Sequence, residues 1–183
     1  PIGYGEAEKI LSQMNGEPVP QSWQGGLPFT YRLQGGSSLT VRLKVDQKID
    51  FVRATNVIGM LKGTDAPDEW IILGCHLDSW GFGATDPSSG TAMLLSLSQT
   101  LGKLKDEGYS PKRSILIGHW DAEEHGVIGS TEWVEQMREE LNAKGVIYMN
   151  FDGAVSGKGF GVSSAPTLKK LLVEASKDVK YPY

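Results

Sequence analysis

The stretch Trp70-Ile71-Ile72-Leu73-Gly74-Cys75-His76-Leu77-Asp78 decides the fold. Its first five residues form a compact apolar run without polar alternation, the pattern of a strand buried on both faces. The run ends directly on an imidazole and a carboxylate. Two further runs repeat the arrangement. Ser114-Ile115-Leu116-Ile117-Gly118 leads into His119-Trp120-Asp121-Ala122-Glu123-Glu124, and Val146-Ile147-Tyr148-Met149 leads into Asn150-Phe151-Asp152. Between and after them the spacing predicts helices over 88–105, 126–142 and 165–178, the last with Leu168, Leu171, Leu172 and Ala175 inward. Strand–helix repetition of this kind predicts an α/β fold, a three-layer α/β/α sandwich with a mixed, mostly parallel central sheet.

Upstream the patterning changes. Leu39, Val41, Leu43 and Val45 alternate with Thr40, Arg42, Lys44 and Asp46 and predict a half-buried strand. A second strand over 51–62 follows after a short link, so an antiparallel hairpin is expected, and it makes the sheet mixed. Residues 5–14 predict a short amphipathic helix, and 15–38, rich in Gly, Pro, Ser and Gln, a connector. Residues 1–38 therefore read as a helix and connector leading from a preceding domain. Residues 39–183 read as part of a catalytic domain, the sheet truncated and the chain a piece of a longer protein.

The bulk numbers narrow the classes. The chain has 183 residues and is 39% apolar, enough for a core of its own. The net charge is −4 and the basic residues are scattered, which argues against a nucleic-acid surface. No apolar run reaches the length of a membrane span, and no leader pattern stands at the start. The single Cys75 excludes an internal disulfide and a cysteine-rich metal site.

The acids and the histidine carry the chemistry. In open α/β sheets, sites form at the carboxyl ends of the strands, and three successive strands deliver His76, Glu123-Glu124 and Asp152 to that edge. Asp86 joins them from the loop after the first strand. Carboxylates this close repel one another unless a cation neutralises them. One imidazole with several carboxylates suits zinc, with manganese or cobalt as substitutes. The acids outnumber what one tetrahedral zinc needs, which points to a two-metal hydrolase. Asp78 shares a face with His76 and can orient its ring. Adjacent Glu123 and Glu124 diverge, so that one can bind metal while the other faces substrate. Plainer roles stand beside these: Asp86 as a turn former, the glutamate pair as helix N-terminal acids, Asp152 as a loop cap, and Cys75 as a small buried side chain.

These residues resemble the M28 metallopeptidases, in particular the glutamate carboxypeptidase II and transferrin-receptor branch. The likeness rests on Pro1-Ile2-Gly3-Tyr4, Asn56-Val57-Ile58-Gly59, Gly74 to Trp80, Asp86-Pro87-Ser88-Ser89-Gly90, Trp120 to Glu124 and Gly129 to Trp133. The resemblance implies a zinc-exopeptidase-like fold and two zinc ions. His76 and Asp152 would hold one ion, Glu124 the other, and Asp86 would bridge them. Glu123 would be the general acid/base and Asp78 the partner of His76. A fifth ligand, a histidine, would come from further along the chain. The resemblance also implies a cis Asp86–Pro87 bond and a structural calcium helped by Glu132 and Glu135. It implies a peptide substrate, a homodimer formed through regions outside this chain, and a location outside the cytoplasm. The rival within the same branch is a non-catalytic receptor domain of the transferrin-receptor type. Retention of the ligand residues favours the enzyme.

Overall fold

The computed structural model describes residues 2–155 and 157–180; Pro1, which opens the first landmark, lies outside them. The chain forms two compact units, 1–51 and 52–183. In the first, helix α1 (Tyr4–Leu11) precedes strand β1 (Asn15–Pro18), a 3-10 turn (Gln21–Trp23) and strand β2 (Arg32–Gln34). β1 and β2 pair antiparallel. Gln24 closes the segment between them: its amide NH2 donates to Val19 O (3.0 Å), and its carbonyl accepts from Tyr31 N–H (2.8 Å). Among the described residues of this unit, Leu27 is the buried apolar one.

The strand expected over 39–46 does not form, and residues 39–56 contain no strand. Val41, Leu43 and Val45 are exposed. Alternation marks a segment able to cover a sheet face, but a strand also needs a neighbour for its backbone hydrogen bonds. The front hairpin is thus absent, and the sheet is mixed for another reason.

The second unit is built on a four-stranded sheet, β3 (Val57–Leu61), β4 (Ala66–His76), β5 (Arg113–Trp120) and β6 (Gly145–Asn150), in the order β3-β5-β4-β6. β4 runs parallel to both β5 and β6, while β3 is antiparallel to β5. Helix α2 (Ser88–Asp106) connects β4 to β5. Two helices, α3 (Ile128–Gln136) and α4 (Arg138–Lys144), connect β5 to β6, where one helix over 126–142 was expected. The break falls at Met137, whose φ of −97° and ψ of 17° leave the helical basin. A 3-10 turn (Pro166–Leu168) precedes the last helix, α5 (Lys169–Lys177). Leu168 and Leu172 are half-buried there, but Leu171 and Ala175, expected inward, are exposed.

Helices cover both faces of β4, as its unbroken apolar run predicts. Leu73 and Cys75 pack with Leu94 of α2 on one face. Trp70 and Ile72 pack with Leu116, under Trp133 of α3, Met137 at the helix break and Leu141 of α4, on the other. Gly74 and Gly118 are register partners on this second face. A Cβ on Gly74 would strike the Trp120 indole and the Tyr148 hydroxyl, and one on Gly118 the Trp120 ring. Two side-by-side glycines thus open the slot that the Trp120 side chain fills. The third apolar run is not a buried strand. β6 is the outermost strand of the sheet among the described residues, and Val146 and Tyr148 are about half-exposed. Among the described residues, no helix is long and apolar enough to cross a membrane.

Candidate active site

His76 is the last residue of β4 and is 2% exposed. Four carboxylates surround it. Its Nε2 lies 2.8 Å from Asp86 Oδ1 and 3.9 Å from Glu123 Oε2; its Nδ1 lies 3.5 Å from Asp78 Oδ1. Its backbone N–H donates to Asp152 Oδ1 (3.2 Å). Each acid arrives by the route the sequence suggests: Asp78 and Asp86 from the loop after β4, Glu123 from the loop after β5, and Asp152 from the exit of β6. Asp86 precedes a cis proline, as the resemblance implies.

Glu124 faces another way. Its carboxylate accepts from Trp80 N–H at 3.3 Å, so the two adjacent glutamates diverge as expected. Asp78 ties the group together. One oxygen accepts from Glu123 N–H (2.9 Å) and the other from Glu124 N–H (3.2 Å). The same carboxylate faces His76 on one side and His125 Nδ1, at 4.0 Å, on the other. His125 is largely exposed and stacks at 5.3 Å on Trp80. His119 points to the face opposite Trp120, and its Nδ1 is buried without a partner.

The electrostatics follow from this crowding. Burial raises the proton affinity of Glu123. The nearby His76 opposes the shift, while the charges of Asp152, Glu124 and Asp78 reinforce it. For His76, burial is the largest influence and disfavours the charged ring. The Asp86 hydrogen bond and the charge of Asp152 outweigh it, so its pKa lies above the ordinary value. Burial also disfavours ionised Asp78, but the two backbone N–H groups and His76 win and lower its pKa. One imidazole therefore sits in an excess of negative charge, and this donor set fits a hard or borderline dication. His76 Nε2 and Asp86 Oδ1 are close enough to share a proton, and among the described residues no three His, Cys, Asp or Glu side chains are grouped so as to hold a metal ion. Glu132 and Glu135 are exposed on α3.

A cleft of about 560 Å³ opens beside the acids. His76, Glu123 and Asp152 line one part of it, and Trp120, Trp133 and Tyr148 another. A polar chain crosses it. Trp120 Nε1–H donates to Tyr148 Oη (3.0 Å), Tyr148 donates to Asn150 Oδ1 (2.6 Å), and Asn150 Nδ2 donates to Asp152 Oδ2 (2.7 Å). Sequence reasoning missed Tyr148 and Asn150 as supports of Asp152. The available signal was the two-residue spacing of Asn150 and Asp152 at a strand exit.

Acids converging on a histidine at the carboxyl ends of parallel strands place the protein among α/β proteins with a strand-end site. The comparison with known families is narrower: residues 56–183 match the Peptidase family M28 model, and the chain belongs to that family. It is 40% identical over 182 residues to Probable glutamate carboxypeptidase VP8 of Zea mays, covering 100% of this chain and 26% of that protein. It is 51% identical over 127 residues to Probable glutamate carboxypeptidase LAMP1 of Arabidopsis thaliana, covering 69% and 19%. It is 38% identical over 192 residues to Aminopeptidase NAALADL1 of Rattus norvegicus, covering 100% and 26%. The crystal structure of a Peptidase M28 precursor from Shewanella amazonensis superposes with a TM-score of 0.51 at 29% identity, over 67% of this chain and 27% of that one. The chain spans about a quarter or less of the length of these relatives.

Proposed function

We propose that the protein is a zinc-dependent peptidase that hydrolyses peptide bonds near a chain terminus, of the glutamate carboxypeptidase kind, with Glu123 as general base. The observation that carries this reading is the Glu123 carboxylate. It lies 3.9 Å from His76 Nε2 among like charges, with its proton affinity raised. A carboxylate set beside the ligand-type residues at the strand ends, with its proton affinity raised, is placed to take a proton from water and return it. The relatives' names include both carboxypeptidases and an aminopeptidase, and cleavage near a chain end is common to both.

His76, Asp86, Glu124 and Asp152 would hold two zinc ions. When bound, these would supply Lewis acidity for the scissile carbonyl and for the attacking water. The rest of the chemistry falls to the chain. Glu123 takes the proton from the attacking water and delivers it to the leaving amine. Asp78 faces His76 Nδ1 at 3.5 Å and, through the two backbone N–H groups, holds the loop that carries Glu123.

The test is Glu123→Gln in the intact protein, assayed on peptides with a free terminus. Turnover falls by about 10²- to 10⁴-fold, and zinc content, measured by elemental analysis, stays as in the wild type. Turnover within tenfold of wild type would remove Glu123 from the role.

A further inference from the structure

The loop that carries the glutamate pair is held in an unfavourable backbone shape. Ala122 and Val127 both adopt positive φ, 55° and 58°. This region is disfavoured for any residue with a Cβ, and a β-branched one there is a clear outlier. Such conformations persist only where the surroundings over-determine them. The structure identifies what does so here, and one member lies outside the site described above.

Asn56 precedes the first residue of β3, whose Val57 pairs with His119. Its side chain therefore stands beside the carboxyl end of β5. Its Oδ1 accepts from Asp121 N–H at 3.0 Å, and its Nδ2 donates to Gly129 O at 2.7 Å. Asp121 opens the loop and Gly129 closes it in the first turn of α3, so one carboxamide joins the two ends. Asp121 adds a second layer: its carboxylate accepts from Thr55 N–H and Ala122 N–H. Gly129 N–H returns to Asp121 O, and Ile128 N–H to Ala122 O. The Glu123 carbonyl accepts from both Gly126 and Val127. A Cβ on Gly129 would strike Asp121 O and Asn56 Oδ1, so the closure tolerates no side chain there.

We propose that Asn56 is a positioning residue for Glu123, its carboxamide locking the loop 121–129 so that the glutamate is presented to His76. Asn56 and Asp78 hold the same loop by different parts, Asn56 at its two ends and Asp78 at the Glu123 and Glu124 amides. Asparagine is required because the group facing Asp121 N–H must accept and the group facing Gly129 O must donate. Aspartate, of equal size, sets a carboxylate against the Gly129 carbonyl.

The inference rests on the peptidase reading for its kinetic consequence but not for its structural one, and the experiment separates them. In the intact protein, Asn56→Asp is compared with wild type by amide hydrogen exchange and by steady-state kinetics, well below either melting temperature. Exchange within 121–129 rises roughly tenfold, as expected from the loss of a part-buried hydrogen bond, while exchange in the β4 segment 70–76 is unchanged. kcat falls by roughly 10- to 100-fold with KM within about twofold, as expected when a reacting group is misplaced. If Asn56→Asp does not fold, Asn56→Ser, which fits the space but cannot reach both partners, is measured in the same way. Unchanged exchange at 121–129, or a kcat within twofold of wild type in an active enzyme, overturns the proposal. A wild-type protein without peptidase activity whose variant still shows local exchange at 121–129 defeats the peptidase reading and leaves the lock standing.

Discussion

The two sides of the sheet that supply the site are held in different ways. At the centre, β4 is covered on both faces, and from Ile72 to His76 every residue is buried. Its neighbour β5 leads into a loop fixed by Asn56, Asp121 and Asp78. At the outer side, β6 has a strand neighbour only in β4 among the described residues, and its residues are half-buried at most. Asp152 is nevertheless delivered to the same histidine. It is placed by polar contacts, the chain from Trp120 through Tyr148 and Asn150, and by a close backbone approach in which α2 begins against the exit of β6. A Cβ on Gly90 would collide with Phe151 O. Apolar burial thus sets the position of His76, and hydrogen bonds set that of Asp152.

Three substitutions test this contrast beyond those already described. Leu94→Ala empties the fully buried α2 contact with Leu73 and Cys75 at the centre. It should destabilise by about 3–5 kcal/mol, measured by urea denaturation; a loss under about 1 kcal/mol would mean that the centre is not packed as described. Tyr148→Phe removes the hydroxyl that Trp120 and Asn150 share and should cost about 1–2 kcal/mol at neutral pH. It also carries a pH signature. Burial, opposed by the Trp120 hydrogen bond and aided by Asp152, pushes the Tyr148 phenol up to about 12 from an ordinary 10.0. The folded state holds this proton more tightly than the unfolded chain. Its contribution is therefore complete below about pH 10 and is lost as pH rises towards 12. The stability gap between wild type and Tyr148→Phe should narrow across that window; a constant gap would remove the phenol from the account. Val146→Thr on half-exposed β6 should change stability by no more than about 0.5 kcal/mol. A cost above about 1 kcal/mol in the intact protein would mean that other parts of the molecule cover that face.

The same contrast explains what could be read from the sequence. Burial on both faces leaves an unbroken apolar run, so β4 was evident, and with it α2 and the order of ligand-type residues at the strand ends. The run Val146 to Met149 looks the same on paper, yet β6 lies at the outside, because strand order is set by crossovers and not by local composition. The alternation over 39–46 has the right period for a strand, but no ladder partner completes it. Met137 interrupts the helix after β5 without a proline or glycine to announce it. Within the site, His76, Asp78, Asp86, Glu123 and Asp152 were legible because they are chemically unusual at strand ends. Asn56 was visible only as part of a familiar motif. Its role lies in a pair of hydrogen bonds to backbone groups of residues 65 and 73 positions away, and a carboxamide bonded to main chain leaves no pattern in composition or period.

The slot that Gly74 and Gly118 open for Trp120 has an optical consequence. The chain holds five tryptophans, but Trp120 is 3% exposed, has its indole N–H engaged by Tyr148, and lies 4.9 Å from the ring of Trp133 at a tilt of 37°. Two indoles at that distance absorb as a coupled pair, and a dry indole emits towards the blue. The chromophore pair stands in the wall of the cleft, on the hydrogen-bonded chain that ends at Asp152, so the near-ultraviolet dichroism of the protein should change when Tyr148→Phe cuts that chain.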